Sequence, residues 1–498
     1  MPKDELSVLR QYDFSWGPNY TDSIYSLKDK EIADSENVIW DGTLKRIPGG
    51  FPYLSSSLAG TNHNVLGIFG YRKQNQEEYV MYATDQGKIF YSSGASTVTT
   101  LKSGLSTNAR TFWDWLVFNN TLIALSGRNS PQKWFATSGT MTTLGGTPPN
   151  SRYGIQHAVD YVFLAGHDSN RSEIRYSDTA TAETWPVGNS LIIGRQDGQI
   201  ITGLERLGDV TVVFKEGSIW TVSGNSPDDF TISPTPSDIG CIAPNTIVKT
   251  DQGIFFWSEQ GPAIFNGFRS TTLGKRLKDF IPTIDLSRAD QMCAVYNPLR
   301  KQVWISYPRV GQTYNDRMLV FDMYRYNDQD RTPPVFWPVT AGGASSMTVV
   351  NMLLQPAGQH VVFLGQSNGQ ALTLGESTST WAGVPIVNRM RSGGLHLGKP
   401  DHVQLIRDIT LRLKAQTARV AVRFSIDGNQ TFTTHASTPY DTTKSGHSIH
   451  QKMLEGDGSG YYPAGNILQL DITSVGSTAW ELHGYEIGSE VVNRREPQ

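Results

Sequence analysis

Short strand-like runs recur along most of this chain at a spacing close to 45 residues. The clearest unit lies between Ile200 and Phe268, where four runs rich in β-branched and aromatic residues are separated by Gly, Asp, Asn and Pro. Four strands in a repeat of about 45 residues predict the blades of a β-propeller. The units begin near Asn64, Thr111, Ile155, Ile200, Pro244, Gln291 and Ser346, at intervals of 47, 44, 45, 44, 47 and 55 residues.

The count of repeats favours seven blades, with six and one miscounted hairpin as the alternative. The last repeat contains three strand-like segments, 347–354, 360–364 and 370–374, and lacks a fourth. Residues 37–52 offer unassigned strands around an Asp-Gly turn. We therefore predict that the N-terminal part of the chain completes the last blade, since ring closure removes a free sheet edge.

The rest of the chain divides into four further regions. Residues 384–490 alternate apolar and polar positions with period 2, which predicts a C-terminal β-sandwich or jelly roll after a propeller over residues 36–375. The polar residues 376–383 are the predicted linker. Residues 1–35 carry aromatics at no clear period and are predicted to be an extended arm, and residues 491–498 a disordered tail.

Composition supports an all-β chain and excludes some partners. The sequence has 48 Gly, 25 Pro and 38% apolar residues, which is typical of a turn-rich protein. Its 43 Lys and Arg against 46 Asp and Glu give no overall attraction to nucleic acid or anionic membranes. No apolar run reaches signal-peptide or membrane-span length, so we expect synthesis in the cytoplasm without export. Cys241 and Cys293 lie in separate repeats and are expected to be reduced and buried.

Known enzyme and metal signatures are absent from the sequence. It has no P-loop, no His-Glu-x-x-His, no Gly-x-Ser-x-Gly, no four-cysteine site and no EF-hand loop. His435, His447 and His450 with Asp441 could form a metal site, but solvated histidines are favoured in so polar a loop. We therefore predict no catalytic residues, no metal, no cofactor and no enzymatic activity.

Two acidic patterns have both a functional and a structural interpretation. Glycosidase propellers use carboxylates at their axis, whereas acidic residues in hairpin turns are the favoured interpretation here. The segment Ser425–Phe432 resembles the Asp box of sialidase-like propellers, a folding motif in which Asp427 accepts backbone N–H groups and Phe432 fills the core. The acidic residues that occur about once per repeat are Asp114, Asp160, Asp209, Glu259 and Asp322.

A series of short motifs runs through residues 177–267. They are Ser177-Asp178, Ile201-Thr202-Gly203-Leu204, Gly208-Asp209, Val213-Phe214-Lys215-Glu216, Ser218-Ile219-Trp220, Gly224, Ser226-Pro227-Asp228-Asp229-Phe230, Ile239-Gly240-Cys241, Ala243-Pro244, Gly253-Ile254-Phe255-Phe256 and Phe265-Asn266-Gly267. Together they resemble a family of tailed-bacteriophage structural proteins, the tail hub or nozzle propellers of short-tailed phages. An N-terminal element with Asn37, Gly42, Leu44 and Arg46 is similar to that family too, as is a C-terminal sandwich.

The resemblance implies a virion protein in a homo-oligomeric ring, most often a hexamer, below the portal and adaptor rings. Such a ring retains packaged DNA and conducts it during ejection without sequence-specific binding, next to tail-fibre or tail-needle proteins. The near-neutral charge fits a conduit through which DNA slides. The alternatives are a receptor- or carbohydrate-binding tail propeller that uses Trp113, Trp115, Trp134 and Trp185 as sugar platforms, and a propeller glycosidase.

Overall fold

The computed structural model is all-β over the residues that it describes. Within that part of the chain the only helices are four short 3-10 turns, Pro244–Thr246, Gly274–Leu277, Ile281–Thr283 and Leu286–Gln291. The second of these contains the basic residues Lys275 and Arg276. The described residues are 7–491 without 55–57, 59–62, 76, 95–97, 109, 136–138, 159, 327–331, 341–346, 355–359, 376–377, 398–402, 415–418, 429–430, 435–439, 442–447, 453–462 and 476–480.

Six strands precede the first repeat. The predicted hairpin around Asp41-Gly42 is confirmed, with Val38 opposite Arg46 and Gly42 at a φ of 75°. The strands are β1 (Ser7–Gln11), β2 (Gly17–Pro18), β3 (Glu31–Glu36), β4 (Val38–Trp40), β5 (Leu44–Arg46) and β6 (Gly49–Pro52).

Six four-stranded antiparallel sheets follow, each built from consecutive strands. Sheet 1 has β7 (Val65–Arg72), β8 (Glu78–Thr84), β9 (Ile89–Ser92) and β10 (Val98–Lys102). Sheet 2 has β11 (Asp114–Phe118), β12 (Thr121–Leu125), β13 (Gln132–Trp134) and β14 (Thr142–Thr143), and sheet 3 has β15 (Tyr153–His157), β16 (Tyr161–Ala165), β17 (Glu173–Tyr176) and β18 (Ser190–Ile192).

The next three sheets repeat the same order. Sheet 4 has β19 (Ile201–Leu207), β20 (Val210–Lys215), β21 (Ile219–Ser223) and β22 (Thr231–Pro234). Sheet 5 has β23 (Val248–Thr250), β24 (Gly253–Ser258), β25 (Gly261–Phe265) and β26 (Ser270–Thr272), and sheet 6 has β27 (Cys293–Asn297), β28 (Gln302–Tyr307), β29 (Arg317–Asp322) and β30 (Val335–Thr340). These are the sheets that the 45-residue spacing predicts.

Sheet 7 combines the two ends of the repeat region. It contains β31 (Met347–Leu354), β32 (His360–Gln366), β33 (Ala371–Gly375), β34 (Thr380–Trp381) and β35 (Val384–Pro385). The N-terminal strand β6 pairs antiparallel with β33, with Phe51 opposite Thr373. A Cβ atom on Gly50 would lie 2.5 Å from Cε3 of Trp381, so a glycine is needed where β6 passes between β33 and β34. The predicted N-terminal contribution is thus β6 alone and not the whole of residues 37–52.

The first strands of the seven sheets contact one another in sequence order. We name β7, β11, β15, β19, β23, β27 and β31 the inner strands; each contacts the inner strand of the next sheet, and β31 contacts β7. The seven sheets therefore follow one another in space in the order in which they follow one another in the chain.

Two larger sheets use strands from both ends of the chain. Their C-terminal strands are β36 (Arg389–Ser392), β37 (Leu395–His396), β38 (Gln404–Leu413), β39 (Arg419–Ile426), β40 (Thr433–Thr434), β41 (Tyr440–Asp441), β42 (Ser448–Lys452), β43 (Ala464–Gly465), β44 (Ile467–Val475) and β45 (Glu481–Val491). The seven-stranded sheet runs β4-β5-β45-β38-β42, with β1 on β45 and β43 on β38. The eight-stranded sheet runs β2-β3-β36-β44-β39-β40, with β37 on β44 and β41 on β39.

These pairings correct the prediction of a separate N-terminal arm over residues 1–35. From Ser7 onward this segment supplies strands to both larger sheets, and Phe14 and Ile32 are fully buried in their core. Arg276 also ties the segment to sheet 5, because its guanidinium pairs with Glu31 and donates to the Trp16 carbonyl oxygen at 2.6 Å. The sequence pattern missed this arrangement because the strands pair with partners at the far end of the chain.

One hydrophobic core joins the two larger sheets to sheets 6 and 7. It contains Trp40 of the N-terminal hairpin, Trp304 and Trp337 of sheet 6, Trp381 of sheet 7 and Tyr485 of β45. Burial of aromatic side chains on this scale dominates the energetics of a core. Sheets 6 and 7 therefore share one core with the two larger sheets.

Asn37 connects three segments at the edge of that core. It is 3% exposed, its side-chain nitrogen donates to the Val387 carbonyl oxygen at 2.7 Å, and its side-chain oxygen accepts from the Thr340 amide at 2.8 Å. Its own amide donates to the Pro338 carbonyl oxygen at 3.0 Å. Its φ of 58° is one that asparagine tolerates better than most residues.

Candidate functional site

Two carboxylates from the inner strands line a small cavity between the sheets. Asp114 begins β11 and Glu205 lies in β19, and both border a space of about 280 Å³ together with Phe112, Trp113 and Tyr153. Asp114 holds two inner strands together, because its carboxylate accepts from the Gly154 amide of β15 at 2.8 Å and from the Trp115 amide at 2.9 Å. Glu205 accepts from the Arg206 amide at 2.8 Å.

The cavity raises the pKa of both carboxyl groups. Burial is the largest cause for Asp114, whose pKa rises to about 7, and the charge of Glu205 adds to the rise. Burial likewise raises the pKa of Glu205. A carboxyl group with a pKa near neutrality can exchange a proton at physiological pH. Since both oxygens of Asp114 already accept backbone N–H groups, its first role here is to join sheets 2 and 3.

A larger polar cavity opens beside this pair, and we name it the mouth cavity. Its volume is about 860 Å³, and it is formed by the connections between sheets 1 and 2, 2 and 3, and 3 and 4, by loops within sheets 2 and 3, and by Asp290. Four arginines and two aspartates line it, namely Arg110, Arg128, Arg152, Arg171, Asp168 and Asp290.

The four arginines of the mouth cavity differ in their partners. Arg110 spans the cavity to Asp290, with Nε donating to Oδ2 at 3.0 Å and Nη2 bonded to Oδ1. Arg171 lies 3.4 Å from Asp168. Arg152 lies with its guanidinium carbon 5.6 Å from the Tyr153 ring centroid, and its buried Nη2 has no hydrogen-bond partner among the described residues.

Of the five acidic residues proposed from sequence, Asp114 is the one that lies on an inner strand. Asp160, Asp209 and Glu259 are exposed in turns between strands, as the structural interpretation predicted. Asp322 ends β29, the third strand of sheet 6, where burial raises its pKa to about 6 and its Oδ1 accepts from the Tyr324 amide. Glu205 was missed, although a carboxylate in the middle of a predicted first strand was a usable signal.

The four tryptophans proposed as sugar platforms are buried, and this part of the carbohydrate-binding hypothesis is wrong. Their exposed fractions are between 3% and 8%. Trp134 packs against Tyr79 and Tyr91, and the Trp185 indole N–H donates to the Ala182 carbonyl oxygen at 2.9 Å. The four buried tryptophans are Trp113, Trp115, Trp134 and Trp185.

The Asp-box segment keeps one of its two predicted features. Asp427 accepts backbone N–H groups, from Asn466 at 2.8 Å and Ile467 at 2.9 Å, both beside the neighbouring strand β44. Phe432 does not fill the core as predicted. It is half-buried, and the guanidinium carbon of Arg391 lies 4.5 Å from the centroid of its ring.

The cysteines and the histidine-rich loop complete the set of residues considered from sequence. Cys241 and Cys293 are free and buried, as predicted, and burial raises the pKa of the Cys241 thiol to about 12. His435 and His447 lie outside the described residues, while His450 and Asp441 belong to strands whose backbone alone is described. In the described part of the chain no group of three or more His, Cys, Asp or Glu residues could hold a metal ion, and no helix there is long and apolar enough to cross a membrane.

The mouth arginines were not singled out from sequence, but their spacing contained a signal. Arg110 and Arg152 each precede an inner strand, and Arg128 and Arg171 each follow the second strand of a sheet. Equivalent positions of neighbouring sheets lie on one face of a propeller, so arginines repeated at the sheet spacing predict a positive patch.

Comparison with known proteins gives similarity to solved structures only. No family model matches the chain, and no curated protein matches it. The U3-55K structure is 10% identical over 64% of this chain and 97% of its own, with a TM-score of 0.43. YCF48 bound to D1 peptide is 11% identical over 66% and 97%, with a TM-score of 0.40. The Neurospora crassa Pan2 WD40 domain is 12% identical over 68% and 97%, with a TM-score of 0.37. None of these three is named as a phage tail protein, so that resemblance stays a prediction.

Proposed function

We propose that the seven sheets are the blades of a closed propeller, that β6 completes the last blade, and that the two larger sheets form a β-sandwich packed against it. The run of contacts between inner strands and the pairing of β6 with β33 support closure. A closed ring leaves no exposed inner edge and is stiff because every sheet is held on both sides.

We propose further that this protein is a structural component of a bacteriophage tail. In this role it forms the hub or nozzle ring, a homo-oligomer of six copies below the portal and adaptor, which retains packaged DNA and conducts it during ejection. Its location is the virion, and its neighbours are portal or adaptor proteins and tail-fibre or tail-needle proteins. DNA passes without sequence-specific binding.

The observation that carries the proposal is the core shared by the propeller sheets and the terminal sheets. Trp337 of sheet 6, Trp40 of the N-terminal hairpin and Tyr485 of β45 belong to one buried cluster. A subunit held in this way transmits force as one piece, which a wall element of a pressurised conduit requires. Flexible linkage between two domains would instead let them move separately.

The residues behind the family resemblance support a structural interpretation of the motif. Lys215 is fully buried with both Asp197 oxygens 2.6 Å from its Nζ, and Asp229 accepts from the amides of Asn225 and Ser226 in a turn. A Cβ atom on Gly240 would lie 2.1 Å from the Lys215 carbonyl oxygen. These positions stabilise sheets 4 and 5.

The proposal is tested on the purified full-length chain by mass photometry and negative-stain electron microscopy. We expect ring-shaped assemblies of about six subunits, formed alone or on addition of the adaptor ring from the same virion. A monomer that forms no ring with either, and that hydrolyses a chromogenic glycoside in a reaction abolished by Asp114→Asn, contradicts it and supports the glycosidase alternative.

A further inference from the structure

The turns at one end of sheets 1 to 6 form a common face. In an antiparallel sheet of four strands the first and third turns lie at the same end, because each strand reverses the direction of the one before it. Here the third turn of a sheet lies beside the first turn of the preceding sheet. The Asn119 side-chain amide donates to the Ala180 carbonyl oxygen at 3.3 Å, and that of Gln252 to the Tyr326 carbonyl oxygen at 3.1 Å. We name the first and third turns of these six sheets the turn face.

Exposed apolar side chains are concentrated on the turn face. Among the described residues between 65 and 340, six large apolar side chains are exposed, and five of them belong to its turns. Four of the five stand in the third turns of sheets 2, 3, 5 and 6, and the fifth in the first turn of sheet 6. In that order they are Phe135, Val187, Phe268, Tyr324 and Leu299. The sixth, Val310, lies in the second turn of sheet 6, at the opposite end of that sheet.

The apolar area of the turn face matches what a stable protein contact needs. Phe135, Phe268 and Tyr324 are 46%, 68% and 74% exposed, and a whole aromatic side chain offers ~200 Å², so these three expose on the order of 400 Å². Val187, at 87% exposure, and Leu299 add to this area. A standard interface covers ~800 Å² of each partner, of which somewhat more than half is apolar. The five side chains therefore supply the apolar share of such an interface, which marks an interaction site.

The two halves of the turn face differ in charge. By sequence, the four turns of sheets 3 and 4 contain six acidic residues and no Lys or Arg, whereas the four turns of sheets 5 and 6 contain five Lys and Arg against three Asp. The six acidic residues, all exposed, are Asp160, Asp178, Glu183, Asp209, Asp228 and Asp229. An acidic half repels nucleic acid and anionic membranes, so the apolar side chains around it are suited to a protein partner.

We propose that the turn face binds the turn face of a second copy of this chain, about a two-fold axis that runs between sheets 4 and 5. This axis places sheet 3 opposite sheet 6 of the other copy and sheet 4 opposite its sheet 5, so that each acidic half meets a basic half. It also brings together Val187 and Tyr324, the two most exposed of the five apolar side chains. A face that carries both halves of the charge pattern is complementary to itself, which a two-fold contact requires.

This contact goes beyond the proposed tail ring and does not depend on it. A cyclic ring joins two different surfaces of each subunit, whereas the contact inferred here uses one surface twice. The two contacts therefore give assemblies of different size, and each can be lost without the other.

The test is sedimentation velocity and mass photometry of the full-length chain. We expect a species of two chains, or of two paired rings where rings form, and its dissociation as salt is raised because the halves attract through charge. Val187→Ser and Tyr324→Ser each remove an exposed apolar side chain from the contact and should weaken it at least about ten-fold. Val310→Ser is the control, since this side chain is 65% exposed at the opposite end of sheet 6, and should leave the contact unchanged.

Charge reversal tests the position of the two-fold axis. The axis places Asp160 opposite Lys301 of the other copy, first turn to first turn, and Asp228 opposite its Arg269, third turn to third turn. Asp160→Lys with Asp228→Lys, and separately Lys301→Glu with Arg269→Glu, put like charges opposite each other, and each double variant alone should associate at least about ten-fold more weakly. A mixture of the two double variants should regain the contact, because every reversed residue then meets an opposite charge.

Three results would overturn the proposal. They are no two-chain contact in the unaltered chain, equal weakening by Val310→Ser and Tyr324→Ser, and no recovery when the two charge variants are mixed. Circular dichroism verifies that each variant is folded before its assembly is measured. Loss of rings with the two-chain contact retained would count against the tail ring alone, and the reverse result against this inference alone.

Discussion

The repeat sheets and the terminal sheets of this protein are both antiparallel in most of their pairings, yet they are assembled in opposite ways. In sheets 1 to 6 every strand pairs with its neighbour in sequence. In the terminal sheets β1 pairs with β45 and β3 with β36, across almost the whole chain. Local hairpins form with little loss of chain entropy, whereas distant pairings cost more unless the intervening chain is already folded. We therefore expect the terminal sheets to depend on the repeat sheets.

Removing the N-terminal strands should have the largest effect. Deletion of residues 1–47 removes β1 to β5 and exposes the core around Tyr485, and we expect loss of the cooperative folding of residues 384–491. Deletion of residues 1–52 also removes β6 and should open sheet 7. Hydrogen exchange with mass spectrometry distinguishes the two outcomes, and deletion of residues 1–6, which removes no described strand, is the control. Native-like protection of β38 and β45 in either long deletion would contradict the account.

The buried ion pair between Lys215 of sheet 4 and Asp197 tests the stability of the repeat region. Asp197→Ala leaves the fully buried Lys215 ammonium without its carboxylate, and we expect a loss of about 3–5 kcal/mol in the free energy of unfolding. Lys215→Met removes the buried positive charge itself. It should lower the free energy of unfolding by less, since Asp197 is 24% exposed and its carboxylate regains water. Urea denaturation measures both. A smaller loss for Asp197→Ala than for Lys215→Met would refute this view of the pair.

The connection between the two regions can be weakened at one residue. Asn37→Ala removes two side-chain hydrogen bonds and places an alanine at a φ of 58°, where its Cβ atom is strained. We expect a loss of about 2–3 kcal/mol in the free energy of unfolding. Asn37→Gly loses the same bonds without the backbone strain and should cost about 1 kcal/mol less. Thermal unfolding followed by circular dichroism compares them, and equal stability of the two variants would contradict the strain argument.

A pH dependence tests the inner strands. Because the pKa of Asp114 is raised from 3.8 to about 7, the folded protein holds this proton more tightly than the unfolded chain does. The contribution of Asp114 is therefore present below pH 4 and is lost as the pH rises through about 7. Asp114→Asn should flatten this part of the stability profile measured by urea denaturation from acidic to neutral pH. An unchanged slope would mean that Asp114 titrates normally.

The contrast between the regions also explains what could be predicted from sequence. The starts of the inner strands were predicted within about four residues, because turn residues and β-branched runs act locally. β3, with Ile32 buried, was missed because its partner β36 lies far along the chain. The mouth cavity escaped prediction for the same reason, since Arg110, between sheets 1 and 2, meets Asp290, between sheets 5 and 6, only in the folded chain.

The most direct test of the central claim is disulfide trapping of β6 on β33. Phe51 and Thr373 are opposite each other in the antiparallel pair, where facing Cα atoms lie about 4.5–5.5 Å apart, within reach of a disulfide. In the Phe51→Cys/Thr373→Cys variant we expect near-complete cross-linking on mild oxidation, detected by a linked peptide in mass spectrometry. The pair Phe51→Cys/Thr271→Cys, on sheets 7 and 5, should not cross-link. Absence of the β6–β33 cross-link in a folded double variant would contradict closure of the ring by the N-terminal strand.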